Sequence, residues 1–258
     1  MPRHCYVLRV FTDGDEGGNR LGVVTDILGL DDEKMQRIAT DLGFPETIYL
    51  SWFAGPRPHA RIFTPATELS FAGHPLVGAG WVLINLGPLD PGGIDCAAGT
   101  IAIRQRGQQT WIEMPKDRAE VAGPMELAAM DALEDIEVRV PAPYRLIQLA
   151  SPDAVAALSP QDFADLGAVY TWAWQEENEV VKARFFAAGF GIREDPATGS
   201  GAVALAARMV TAGHPEGSLR IQQGAETGQP SVLLLEWDHK RIAVGGTVVR
   251  DEVRFLKL

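Results

Sequence analysis

The sequence predicts an α+β protein of two similar lobes, each with many strands around one buried helix. Three observations carry that expectation. A strand–turn–helix block occurs twice: Ala60-Arg61-Ile62-Phe63, the turn Glu68 to Pro75 and the run Leu76 to Leu86, then Ala183-Arg184-Phe185-Phe186, the turn Glu194 to Gly201 and the run Ala202 to Val210. Glu68 and Glu194 stand 126 residues apart, as do Gly73 and Gly199, whereas Ala60 and Ala183 stand 123 apart, so the second block carries a three-residue insertion. Such a recurrence points to an internal duplication. The first helical run is apolar nearly all round and the second is made of small residues, which suits helices enclosed by curved sheets. The rest of the chain consists mainly of short alternating or apolar runs separated by Gly-, Pro- and Asp-rich turns.

In order, Tyr6 to Phe11 alternates as a strand, 12–20 is a turn-rich loop and Leu21 to Thr25 is a second strand. Asp31-Asp32-Glu33 opens a helix to about Leu42, its acids in the turn where the helix dipole favours them. Strands are expected near 46–51, 57–64, 99–106 and 109–114, with a helix from Pro75 to Leu86 that Gly87 to Gly93 stops. The boundary between lobes is placed in the Pro-, Ala- and acid-containing stretch 115–143, giving lobes 1–118 and 119–258, with the last strand near 248–258 joining the first lobe. Leu146 to Leu149 and Val169 to Trp174 are strands. Ser151 to Leu158 and Ser159 to Leu166 are short helices with serine N-caps. The acidic stretch 175–179 is solvated, and 223–231 is a Gly-rich loop. Strands close the chain at 218–223, 231–237, 240–244 and 247–255.

With 258 residues, 46% hydrophobic and 22% charged, the chain has a globular composition. A net charge of −11 argues against nucleic acid or an anionic membrane as partner. The two cysteines, Cys5 and Cys96, do not make a disulfide scaffold, and no Cys/His cluster has zinc spacing, so no metal is expected. Arg9 interrupts the N-terminal apolar run before it reaches signal-peptide form, and no run is long enough to span a membrane. A cytoplasmic location is the default expectation.

The second turn, Glu194-Asp195-Pro196-Ala197-Thr198-Gly199-Ser200-Gly201, is the chemical centre. A helix starting there points unpaired N–H groups and the positive dipole end at one spot, which can hold a substrate carboxylate. Gly199 and Gly201 permit close approach, and Asp195 and Ser200 flank the spot. Asp195 reads equally as a helix cap, and Ser200 faces the same choice. His74, in the first turn of the other helix, reads as a cap, a packing residue or, in its neutral form, a hydrogen-bond donor or proton shuttle. Glu46, behind Phe44 and Pro45, reads either as an exposed strand-end residue or as a desolvated proton carrier. The run Ala197 to Gly201 lacks the lysine of a phosphate-binding loop and the spacing of a dinucleotide fingerprint.

Phe63-Thr64-Pro65, Glu68, Phe71-Ala72-Gly73-His74-Pro75, the turn Glu194 to Ser200, Gln223-Gly224 and Pro230-Ser231 together resemble the phenazine-biosynthesis PhzF-like family. The match covers essentially the whole chain, and Asp-Pro-Ala-Thr-Gly-Ser is its most specific part. The resemblance implies the diaminopimelate-epimerase-like fold, with two pseudo-symmetric lobes, each a curled, mostly antiparallel sheet around a central helix. It implies a cofactor-independent isomerase moving a proton in the cleft between lobes, and a homodimer. Glu46 matches the catalytic glutamate, His74 and Asp195 match groups that assist proton movement, and Gly73, Gly199 and Ser200 match the carboxylate-binding turns. Asn19 matches a Gly-Gly-Asn substrate segment, although Arg20 stands where the family usually has proline. Amino-acid epimerases of the superfamily place cysteines where this chain has His74 and Ser200, so a two-thiol racemisation is not expected. A non-catalytic protein binding a small carboxylate through the same turns is the alternative.

Overall fold

The computed structural model describes residues 3–52, 56–87, 91–126, 131–176 and 179–256. The first half contains β1 (Arg3–Thr12), β2 (Asn19–Val24), α1 (Asp32–Leu42), β3 (Glu46–Ser51), β4 (His59–Phe63), β5 (Glu68–Leu69), α2 (Gly73–Leu86), β6 (Gly93–Cys96), β7 (Gly99–Arg106) and β8 (Gln109–Pro115). The second contains β9 (Glu120–Pro124), β10 (Glu134–Val140), β11 (Ala142–Gln148), α3 (Pro152–Ala156), β12 (Val169–Glu176), β13 (Val180–Ala187), β14 (Ile192–Asp195), α4 (Gly199–Thr211), β15 (Gly217–Gln223), β16 (Ser231–Trp237) and β17 (Arg241–Leu256). Pairings β2–β3, β4–β6, β11–β12 and β13–β15 are parallel and the others antiparallel.

Each half wraps its sheet around one helix. α2 packs on β1, β2, β3 and β6 to β8, α4 packs on β9 to β11 and β16, and β17 touches both helices. Both helices are buried over their first three turns, because their small and apolar residues leave no polar face to turn outward. Leu76, Val77, Ala79 and Leu83 of α2 and Val203, Leu205 and Met209 of α4 enter the main core. Smaller cores lie on the outer faces. Met35, Ile38 and Ala39 of α1 cover Tyr49 and Phe63, and Val155 and Phe163 cover Ile147 and Phe186. The C-terminal part of β17 pairs with β1, Arg3 opposite Leu256. Cys5 and Cys96 are free and buried. Among the described residues, no helix is long and apolar enough to cross a membrane.

The two sequence blocks take corresponding structures. Arg61 of β4 binds Glu68 through two hydrogen bonds of 2.7 Å, and Arg184 of β13 binds Glu194 through two of 2.8 Å. The three extra residues of the second block are taken up by the 3₁₀ turn Ala188–Phe190. The pairs differ in solvation. The Arg61 and Glu68 side chains are 27% and 41% exposed, those of Arg184 and Glu194 4% and 10%. Arg184 also donates to the carbonyls of Val155, Ala156 and Leu158, tying down the end of α3. Arg184→Met leaves the largely covered Glu194 carboxylate unpaired and is expected to destabilise the fold by about 3 kcal/mol. Arg61→Met should cost about 1 kcal/mol or less. Urea unfolding of both variants measures the difference.

Several local expectations are corrected. The strands expected at 240–244 and 247–255 are one strand, β17. Gly245 and Gly246 do not turn the chain; a Cβ at Gly245 would lie 2.2 Å from the Trp111 ring, and one at Gly246 2.6 Å from Phe11. The helix expected at 159–166 is the 3₁₀ turn Pro160–Phe163, closed by a box between Ser159 and Asp162. The stretch 115–143, where the lobe boundary is placed, holds β9 and β10, which pair with each other, and its residues 127–130 lie outside the described residues. Short strands β6 and β14 were not foreseen. Residues 177 and 178 of the acidic stretch, 88–90 of the helix stop and 257–258 of the last strand lie outside the described residues.

Candidate active site

The two helix N-termini meet. A Cβ built on Gly73 would stand 2.7 Å from the Gly199 Cα, and one on Gly199 2.9 Å from the Gly73 Cα. Only glycine lets the backbones approach this closely. Neither helix has a side-chain cap: Ala72 cannot supply one and Thr198 does not. Their first N–H groups therefore keep unused donor capacity and the positive dipole end. A cavity of about 100 Å³ lies at this junction. Glu46, His74, Asp195, Gly73, Gly199 and Ser200 line it on the polar side, and Leu69, Phe71, Val140, Pro143, Phe185 and Ile192 form an apolar wall.

Glu46 is the first residue of β3 and lies opposite Leu21 on the parallel strand β2. This register brings it beside α2 rather than to a solvent-facing strand end. It is 5% exposed, its Oε2 is 3.3 Å from His74 Nε2, and neither atom makes an aligned hydrogen bond. Long contacts of this kind are common in unliganded catalytic sites. Burial, and next the nearby Asp195 charge, hold the Glu46 carboxyl well above the usual carboxylate range. Burial also pushes His74 down to about 3, opposed by a contact with the Arg20 backbone. The imidazole is therefore neutral near pH 7.

Asp195 ends β14. Its Oδ1 accepts from Asn19 Nδ2 at 2.6 Å and its Oδ2 from Thr198 Oγ1 at 2.6 Å. Burial raises it to about 7, against the lowering effect of those two donors and with a further rise from Glu194. Gln223 fixes the turn, donating to the Asp195 carbonyl at 2.8 Å and to Thr198 Oγ1 at 3.0 Å, and accepting from the Thr198 N–H at 3.3 Å. Tyr144 of β11 donates to Ser200 Oγ at 2.7 Å. Burial pushes the Tyr144 hydroxyl up to about 12, so it remains protonated.

Two expected ligand contacts take other places. Gly201 does not line the cavity; a Cβ there would lie 2.3 Å from the Tyr170 ring, so its smallness serves packing. Asn19 is fully buried behind His74 and Asp195, outside the cavity wall. Arg20 is exposed within β2, opposite Arg9 of β1, with its guanidinium 4.7 Å from the Phe44 ring centre. Tyr144 and the apolar wall were not foreseen. Gln223 entered only through the family motif, because no local pattern ties it to a turn 25 residues earlier.

The raised Asp195 pKa gives a pH signature. Between the unfolded value of about 3.9 and the folded value of about 7, the folded chain holds a proton that the unfolded chain has lost. Its contribution to stability is therefore full below about pH 4 and declines as pH rises to 7. Asparagine copies the neutral carboxyl, so Asp195→Asn should gain a few kcal/mol relative to the parent between pH 4 and 7, since each pH unit between the two values is worth about 1.4 kcal/mol. His74 is neutral and buried in both proteins, so its opposite slope cancels. Urea unfolding at the two pH values measures the gain.

A family model described as "Phenazine biosynthesis-like protein" matches residues 8–252. An uncharacterised isomerase of Pasteurella multocida (strain Pm70) is 30% identical, covering 96% of this chain and 92% of its own. A trans-2,3-dihydro-3-hydroxyanthranilate isomerase of Pseudomonas fluorescens is 31% identical, covering 95% and 96%. The crystal structure of a Bacillus anthracis phenazine biosynthesis protein of the PhzF family superposes with a TM-score of 0.83 over 100% of both chains at 24% identity. Two helix-centred half-sheets, helix N-termini in contact at paired glycines and this sequence similarity lead to one conclusion: the chain belongs to the phenazine biosynthesis-like family and is an isomerase of that type.

Proposed function

We propose that this isomerase moves a proton between two carbons of a small carboxylated substrate with an unsaturated or cyclic frame, using its own residues and no cofactor. The observation that carries the proposal is the Glu46 carboxyl. It is desolvated, has no firm partner, and faces a cavity in which two uncapped helix N-termini converge. The substrate carboxylate rests on the N–H groups near Gly73 and Gly199 and on the Ser200 hydroxyl. Ionised Glu46 takes a proton from one carbon. A carboxylate taken from water is a stronger base than one on the surface. The developing negative charge spreads into the substrate, where fixed backbone dipoles stabilise it. Glu46 then returns the proton to a second carbon, and the enzyme regains its starting charge. Neutral His74 supports the carboxylate from Nε2, and Asp195, largely neutral below pH 7, limits the negative charge in the cavity.

The first candidate substrate is the cyclic, unsaturated carboxylate named in the P. fluorescens relative, trans-2,3-dihydro-3-hydroxyanthranilate. It heads a panel of small unsaturated acids incubated with the protein in heavy water and followed by mass spectrometry. The proposal expects deuterium on carbon in at least one acid, absent with Glu46→Gln. A parent protein that binds these acids without exchanging their carbon-bound hydrogens is a carboxylate-binding protein instead.

Tyr144→Phe should leave Ser200 without its donor partner. A net loss of about 1 kcal/mol for such a hydrogen bond predicts a roughly five-fold rise in KM, with kcat little changed. Steady-state kinetics on the substrate found above measures both constants.

A further inference from the structure

Asn19 is fully buried, and its Nδ2 faces three groups: Asp195 Oδ1 at 2.6 Å, the Ala197 carbonyl at 3.1 Å and His74 Nδ1 at 3.2 Å. A carbonyl can only accept, so the amide nitrogen belongs on this side. The reversed amide would set an oxygen against both Asp195 and Ala197. The two amide protons then serve Asp195 and, shared, Ala197 and His74. An Nδ1 that accepts from Asn19 carries no proton, and a neutral ring must carry it on Nε2, which lies 3.3 Å from Glu46 Oε2, close enough to donate although the two are not aligned in the unliganded site. Oε2 is fully buried whereas Glu46 lines the cavity, so the carboxyl oxygen turned to the cavity is Oε1.

We propose that Asn19 is a positioning residue that holds His74 in its Nε2–H form, so that the ring donates to Glu46 Oε2 and the migrating proton travels on Oε1. The arrangement serves both charge states of Glu46. When the carboxyl is protonated on Oε1, Oε2 is its carbonyl oxygen and still accepts from Nε2–H. When Oε1 gives up the proton to substrate, the same N–H steadies the carboxylate. No proton needs to cross the imidazole during turnover. This explains how a histidine with so low a pKa serves the site, since it acts as a fixed donor and never as the base. The Arg20 backbone contact favours a proton on the ring without selecting a nitrogen. Removing Asn19 should free Nδ1 to carry that proton.

This inference rests on Glu46 as the proton carrier, but its deciding readout, the ring tautomer, needs no substrate. Nitrogen-15 NMR of the His74 ring in the unliganded full chain separates the two tautomers. The expected parent spectrum has a protonated Nε2 and a bare Nδ1. In Asn19→Ala the Nδ1–H form should gain population, and kcat should fall about 10–100-fold, the range for removing outer partners of metal-bound histidines, with KM little changed. A parent spectrum with the proton on Nδ1, or a tautomer unmoved by Asn19→Ala, overturns the inference. Deuterium transfer that continues alongside either result leaves Glu46 in place as the carrier. Should Asn19→Ala not fold, the parent spectrum alone decides.

Discussion

Glu46→Gln is expected to lower kcat/KM by about 10²–10⁴-fold, the usual contribution of a positioned general acid–base group. The amide keeps the shape of the carboxyl and its oxygen can still accept from His74 Nε2, so the loss reports proton transfer alone. Affinity for a small carboxylate should be preserved, because the groups proposed to hold the anion are the N–H donors of the uncapped helix starts near Gly73 and Gly199. Stability should not fall. A carboxyl pushed upward by burial costs the folded state at neutral pH, and glutamine removes that cost. Kinetics, calorimetric titration with a non-reacting carboxylate and thermal unfolding test the three parts separately. A fall in affinity equal to the fall in kcat/KM would place Glu46 in binding rather than chemistry.

Gly73→Ala has the second-largest expected effect. The added methyl would stand 2.7 and 2.8 Å from the Gly199 Cα and carbonyl carbon and 3.0 Å from the Ser200 nitrogen. These are backbone atoms at the start of a buried helix, with no flexible side chain to yield. The two N-termini must separate, at a cost of about 1–3 kcal/mol in stability for overpacking. The displacement also moves the donors proposed to hold the substrate, and an error approaching 1 Å can cost about 10² in rate. Gly189→Ala is the control, because a Cβ there meets nothing within 4 Å. It should change neither stability nor rate. Equal behaviour of the two variants would show that the helix contact is not what positions the donors.

The parts of this site that could be read from sequence are those carried by local composition. The run Thr198-Gly199-Ser200-Gly201-Ala202 marks a helix start without bulky side chains, and α4 begins there. The Ala-Arg-x-Phe strands and the following glutamates marked two corresponding blocks, and Arg61–Glu68 and Arg184–Glu194 form equivalent pairs. The burial of Glu46 could not be read locally. It results from parallel pairing with β2 and from a helix that starts 27 residues later, at Gly73. Tyr144 reaches Ser200 across 56 residues of sequence, and nothing near Pro143 signals that contact. Asn19 was legible as a site residue but not in its place. Only the three-dimensional register shows that it stands behind His74 rather than in front of it. The glycines misled where packing dictated them, because Gly201 and Gly245 are small to admit Tyr170 and Trp111.

The most direct measurement is a carbon-13 NMR titration of the Glu46 side-chain carboxyl in the unliganded protein, assigned by its loss in Glu46→Gln. A desolvated proton carrier predicts a midpoint well above the carboxylate range, with Asp195→Asn lowering it by removing the neighbouring charge. A midpoint near 4.3, the value of a glutamate in water, would contradict the account.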